Sequence, residues 1–363
     1  MYFNICDMII TNLQSKTISL LRFPLIIGVV LIHSRYKEVS VDSEMRAVED
    51  IFPVYELLSY LISEIFARAA VPVFFFFSGF LFFEGTNFSL YIYKCKLKKR
   101  IRTIVIPYLF WNVLTIILFL LGQVCFRELF SGSNKLILDY SLYDWLTTFW
   151  NGYRGLYPIC YQFWFIRDLM VVMLLSPIIF YLVKYFKTYS VLFLGIFWIF
   201  DIWIKVPGFS IIALFFFTFG GWYNICQRDF ILDFKPLLWG IVPVYIVSVS
   251  CCLCLRENLY LHNINIILGV IFIIAFTSHL VEWKKYSINV TLCDSSFFIY
   301  AYHAIILGLL TKILFMIFTP HTDFMFIVLY FLCPLLVIVC GFYLYCALRK
   351  YLPNITKFIT GGR

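Results

Sequence analysis

Residues Arg22-Phe-Pro-Leu-Ile-Ile-Gly-Val-Val-Leu-Ile-His33 place two ionisable side chains at the ends of one otherwise apolar run. An ionisable group inside a membrane span is costly, and its default reading is functional. The spacing adds geometry. Eleven helical steps of about 100° bring His33 back to within about 20° of the face that carries Arg22, and the rise separates the two by about 16 Å along the axis. A cation toward one membrane face, in line with a titratable base toward the other, fits a long substrate lying along the helix. A snorkelling arginine and an interfacial histidine fit the same pair.

The rest of the chain agrees with a membrane reading. Its 363 residues are 63% hydrophobic and 13% charged, against about 25% charged in a soluble domain, and the mean hydropathy is +0.91. Aromatic residues reach 21%, a load that suits lipid-facing Phe and interfacial Tyr and Trp. The apolar stretches are continuous rather than alternating, which argues against a β-barrel. The fold class is therefore an all-α polytopic membrane protein. Ten candidate spans follow, at 17–34, 57–83, 102–122, 164–183, 189–204, 210–226, 236–255, 263–281, 295–318 and 325–348, packed as one bundle in a single domain over 1–363. The first follows Lys16 without a small-residue cleavage site and reads as a retained helix. No internal repeat is visible.

The net charge of +9 is a matter of topology, not of nucleic acid. About twice as many Lys/Arg fall in one set of loops as in the other, the positive-inside pattern. Lys94, Lys96, Lys98, Lys99, Arg100 and Arg102, then Lys184, Lys187, Lys284, Lys285 and a tail over 349–363 with Arg349, Lys350, Lys357 and Arg363 become cytoplasmic. Both termini then lie on the cytoplasmic side of a cell (inner) membrane. Segments 35–56 and 123–163 face outward as extracytoplasmic loops, the first carrying Glu38, Asp42, Glu44, Glu49 and Asp50. Their acidic, Phe-rich character suits a bacterial membrane. The 12 Cys are scattered, and small packing residues explain them better than disulfides or metal. No two His or acids share a close ligand spacing, so no metal is expected.

Several constellations could carry chemistry. The basic run Lys94–Arg102 can hold phosphates through charge-assisted hydrogen bonds, or it fixes orientation and touches anionic lipid. Lys99 and Arg102 share a face at i, i+3. Glu64 and Arg68 at i, i+4 can neutralise each other; Pro72 is expected to kink that helix, and Gly79, after Ser78, permits close helix approach. Arg167 and Asp168 point in different directions on a helix, so each needs its own partner. Trp145, Trp150, Tyr153, Tyr157 and Tyr161 suit sugar stacking or an interfacial belt. His303 is a second intramembrane histidine.

Taken in order, these pieces resemble the membrane acyltransferase-3 family. The resemblance rests on Arg22-x10-His33, on Arg68-Ala-Ala-Val-Pro72 leading to Ser78-Gly79-Phe80-Leu81, on Lys99-x-x-Arg102 with Pro107-Tyr108 and Trp111, and on Phe163-Trp164-Phe165-Ile166-Arg167-Asp168 with Tyr300-Ala-Tyr-His303. It implies transfer of an acyl group, most often acetyl, from cytoplasmic acyl-CoA to a hydroxyl of a cell-surface or lipid-linked glycan. His33 would be the catalytic base, with Arg22 in line. Lys99 and Arg102, flanked by Lys98 and Arg100, would hold the CoA phosphates. Arg68, Ser78, Trp164, Arg167 and His303 would line the substrate cavity. Acetyl-CoA enters as donor substrate, with no bound cofactor. Lys99 stands where the family often has Arg, which weakens bidentate phosphate binding but keeps the charge. A transporter or flippase for a lipid-linked or small metabolite shares the bundle and its buried charges; dependence on a thioester separates the two.

Overall fold

The computed structural model describes residues 12–41, 44–85, 88–126, 135–152, 155–283 and 289–362. Asp42, Tyr153, Lys284, Lys285 and Arg363 lie outside the described residues. What is described is almost wholly helical. Seven helices are long and apolar enough to cross a membrane: α1 (Asn12–His33), α2 (Pro53–Phe82), α3 (Leu90–Cys125), α8 (Phe230–Cys254), α9 (Leu259–Glu282), α10 (Val290–Phe318) and α11 (Asp323–Tyr351). Between α3 and α8 lie α4 (Tyr161–Leu174) and α5 (Ser176–Phe186), which meet at 63° and count as an eighth span if taken together, then two shorter apolar helices, α6 (Thr188–Ile199) and α7 (Ile211–Ile225). The tail ends in α12 (Pro353–Thr360). The chain is thus a multi-pass membrane protein with seven candidate spans, or up to eight, among the described residues; about ten spans are not confirmed.

The difference has local causes. Apolarity continues through 189–204, but α6 stops at Ile199, and Asp201 adopts a left-handed φ of 51°. Trp203 Nε1 then donates to the Phe209 carbonyl at 3.0 Å, closing the turn that leads to α7. In the fourth candidate span, Pro177 cannot donate to the carbonyl of Met173, and the helix breaks at Leu175. The outward segment 35–56 also holds some structure. Strands β1 (Glu38–Val41) and β2 (Glu44–Ala47) pair antiparallel, with Glu38 opposite Ala47.

Proline shapes α2 and α3 alike. Pro72 removes the bond to the Arg68 carbonyl, and α2 passes through a π turn (Tyr60–Phe66) and a 3-10 turn (Ala67–Ala69) just before it. Pro107 does the same to Thr103, and α3 loosens into a π turn over Ile101–Val105.

The chain groups into two compact units. The first comprises residues 1–25, 65–99 and 168–293. Its core is the seam of α2 and α7, where backbones touch. A Cβ on Gly79 would lie 1.9 Å from the Phe217 carbonyl oxygen, and one on Gly220 would lie 1.8 Å from that of Phe76. Around the seam, Phe76, Phe80, Tyr223, Phe230 and Phe234 meet largely edge-to-face. Lys96 donates to the Phe82 and Glu84 carbonyls, satisfying the end of α2.

The second unit comprises residues 26–64, 100–167 and 294–363. Val48, Phe52, Tyr55, Phe326 and Tyr330 form one buried cluster. The Asp323 carboxylate accepts from Tyr55 N at 2.8 Å, capping the first turn of α2. The tail is anchored in this unit as well: Trp111 Nε1 donates to the Ile359 carbonyl at 3.0 Å, and Thr356, Ile359 and Thr360 of α12 are buried.

Candidate active site

His33 is the last residue of α1. The turn beneath it is held from several sides. Ser34 Oγ donates to the Val30 carbonyl at 2.8 Å, and Ser34 N to that of Leu31 at 3.1 Å. Ser63 Oγ also donates to Leu31 O at 2.7 Å, while Ser63 and Tyr330 share a hydrogen bond of 2.8 Å. Two of the carbonyls that a helix C-terminus would leave orphaned, those of Val30 and Leu31, are thus occupied, and α1 is tied to α2 at the turn that presents His33.

Arg35 completes the brace. Its Nη2 donates to Glu56 Oε1 at 2.5 Å and its Nη1 to Glu64 Oε1 at 3.0 Å, with all three side chains at most 14% exposed. The guanidinium lies over the Tyr60 ring, 5.2 Å from its centroid. One arginine between two acids leaves a net negative charge, which Lys37 Nζ approaches at 3.9 Å from Glu64. Glu64 therefore reaches back to the end of α1. Arg35 and Glu56 escaped the sequence reading because their partnership spans 21 residues; the only hint was a cation two places beyond His33.

Two rings face His33. The His303 ring centroid lies 5.4 Å away at 35°, and that of Tyr161 lies 5.1 Å away at 75°. Both neighbours are fixed by one lock between α4 and α10. Gln162 Nε2 donates to Ala301 O at 2.9 Å, and Tyr300 Oη donates to Gln162 O at 2.5 Å. Phe163 stacks between Tyr108 and Tyr300, with centroids 5.6 Å from each. The lock sets Tyr161 and His303 against the same imidazole.

His303 is fully buried. Its Nδ1 lies 2.7 Å from the Tyr300 carbonyl. A carbonyl only accepts, so Nδ1 carries the proton and Nε2 is left with its lone pair. That Nε2 is buried and has no hydrogen-bond partner among the described residues. A buried acceptor calls for a donor, such as a water or a ligand hydroxyl.

The other sequence candidates are distributed as follows. Arg100 and Arg102 lie in the second unit, Arg100 half-buried and Arg102 exposed. Arg22, Arg68, Ser78, Lys98 and Lys99 lie in the first; Lys98, Lys99 and Arg68 are exposed, and Arg22 and Ser78 half-buried. The unbroken α1 carries both Arg22 and His33, so their eleven-residue spacing is helical throughout. Lys99 lies in the α-helical stretch Leu90–Arg100, and Arg102 lies in the π turn Ile101–Val105 that follows. Trp164 is half-buried at the start of α4. Arg167 is 3% exposed, and its Nη1 donates to the carbonyls of Trp150 at 2.7 Å and Leu156 at 3.0 Å. It shapes the segment before α4. Among the described residues no group of three His, Cys, Asp or Glu could hold a metal ion.

Sequence reasoning passed over Lys312, a lone cation in the apolar run Ile305–Phe318 of α10 that lines a cavity beside Tyr161. An isolated charge in a span was the available signal. A family profile described as an acyltransferase domain matches residues 16–346. No curated protein and no solved structure matches the chain.

Proposed function

Because the chain belongs to the acyltransferase-3 family, whose chemistry is acyl transfer, we propose that it moves an acyl group, acetyl in the simplest case, from cytoplasmic acyl-CoA to a hydroxyl of an extracytoplasmic or lipid-linked glycan. The observation that carries this reading is the imidazole pair: His33 at the end of a braced helix, facing His303 with its orphan acceptor nitrogen. General-base chemistry near neutral pH favours an imidazole in hydrogen-bond reach of the proton it takes.

In this reading His33 removes the proton of the acceptor hydroxyl as its oxygen attacks the thioester carbonyl. The tetrahedral intermediate collapses, the C–S bond breaks, and the CoA thiolate recovers the proton from the His33 imidazolium. His303, fixed in one tautomer by Tyr300, offers Nε2 as a hydrogen-bond acceptor that orients either the hydroxyl or the His33 ring. Tyr161 sets its ring edge-on to the His33 imidazole and helps to hold its orientation. Arg22, Lys98, Lys99, Arg100 and Arg102 supply positive charge suited to the CoA phosphates. Both termini face the cytoplasm in this arrangement, and the donor approaches from that side.

The test is release of free CoA thiol from acetyl-CoA by purified protein in lipid nanodiscs, with and without added glycan acceptor. Acceptor-dependent thiol release at wild-type His33 supports the reading. Uptake of the glycan without thioester consumption would overturn it in favour of transport.

A further inference from the structure

The second unit holds a cavity of about 550 Å³. Two of its lining residues tie it to the imidazole pair. Tyr161 sets its ring centroid 5.1 Å from that of His33, and Ala304 directly follows His303 on α10. One turn further along α10, Gly308 leaves the wall open: a Cβ there would meet nothing within 4 Å. Leu118 of α3 adds an aliphatic wall, as do Ile137 and Ile159 from the segment before α4.

The polar side chains of the lining are largely engaged. Gln123 Oε1 accepts from Ile137 N at 2.9 Å, Thr148 Oγ1 donates to the Asp144 carbonyl, and Lys135 Nζ lies 2.6 Å from the Asp144 carboxylate. Lys312 has a partner as well. A sugar would find few free hydrogen-bonding groups here, whereas a hydrocarbon chain brings no polar atom that needs one.

The acyl-transfer reading, on which this inference rests, puts a thioester carbonyl at His33. The acyl chain and the sulfur leave that carbon in different directions, so the chain can enter the cavity while the CoA moiety lies outside it. An acetyl methyl is close in size to a water, which takes about 30 Å³ of liquid volume, and it would leave nearly all of the cavity unfilled. We infer that the cavity receives the acyl chain of the donor, that this donor is an acyl-CoA with a saturated chain longer than acetyl, and that Gly308 sets the length accepted. Each methylene that enters exchanges water for an apolar wall, and that exchange favours the longer chain.

The experiment measures binding of S-ethyl-, S-butyl- and S-hexyl-CoA, thioethers that acyl transfer cannot consume, to the full chain in phosphatidylcholine nanodiscs by titration calorimetry. Empty nanodiscs supply the blank for partition into lipid. Wild type is expected to gain about fourfold in affinity for each added CH₂, and S-hexyl-CoA to bind on the order of 100-fold more tightly than S-ethyl-CoA. Gly308→Ala should lower that ratio, and Gly308→Leu, growing into open space, should bring it close to one, with unfolding midpoints near that of wild type. Equal binding of all three thioethers by wild type would overturn the inference and leave acyl transfer standing. A ratio that Gly308→Leu leaves unchanged would also overturn it, since the chain would then lie outside this cavity. Should Gly308→Leu fail to fold, the ratios of wild type and Gly308→Ala decide, and an equal ratio in those two overturns the role of Gly308. Binding of none of the three would overturn the acyl-CoA reading itself and the chain pocket with it.

Discussion

Glycine means opposite things in the two units. In the first, Gly79 and Gly220 let α2 and α7 meet backbone to backbone, and an added methyl carbon would lie within 2 Å of a carbonyl oxygen. In the second, Gly308 on α10 faces open space in the cavity that Tyr161 also lines. The first arrangement uses small residues to close a helix seam, since lipid offers no hydrophobic drive to hold helices together. The second uses them to keep a hollow. A membrane enzyme needs both, and the lesson is that small residues in a span carry no meaning until the facing atoms are known.

That contrast can be broken by substitution. The largest effect belongs to the closed parts. Arg35→Met would leave Glu56 and Glu64 facing each other in a buried site, and loss of one partner from such a network costs about 3–5 kcal/mol. A thermal unfolding scan in detergent should show a large drop, whereas an unchanged midpoint would mean the triad braces nothing. Gly220→Ala comes next. Overpacking costs about 1–3 kcal/mol, and the upper end applies because the clashing atoms are backbone. The same scan checks it, with Gly79→Ala expected to behave alike.

A smaller, pH-dependent effect sits before α4. Lys135 and Ser141 both donate to the Asp144 carboxylate and hold it down to about 2 from its ordinary 3.8. A depressed carboxylate stabilises above its unfolded value and ceases to do so as pH falls through its folded one. The capped helix Leu142–Thr147 should therefore resist proteolysis unchanged from pH 7 to about 4 and lose protection between about 4 and 2. Asp144→Asn should be cleaved faster at pH 7. The smallest change is expected at the open face: Gly308→Ala should shift stability by no more than about 1 kcal/mol, with the helix-propensity gain as the only term. A loss like that of Gly220→Ala would erase the contrast between the two units.

Much of this was legible in the sequence. The apolar runs announced a polytopic helical protein, and Arg22 and His33 do share one unbroken helix. His303 was visible as an intramembrane titratable group, and the structure sets it against His33. What composition could not show was helix length. The runs at 189–204 and 210–226 are apolar enough for spans, yet the helices within them have 12 and 15 residues. Apolarity reports the surroundings of a segment, while the break at Asp201 depends on backbone conformation. The brace of Arg35, Glu56 and Glu64 was equally hidden, because helical spacing favoured Glu64 with Arg68 and only the fold brings the end of α1 to Glu64. Arg167 was visible as a charge in an apolar segment, while the two carbonyls it satisfies were not.

The most direct test of the central claim follows label from radiolabelled acetyl-CoA into glycan or lipid-linked sugar, comparing wild type with His33→Ala at matched amounts of folded protein. Loss of a general base costs about 10²–10⁴-fold in rate, so transfer by His33→Ala should fall by at least about 100-fold while its unfolding midpoint stays close to that of wild type. Transfer at the wild-type rate by a folded His33→Ala protein would contradict the account and remove His33 as the base.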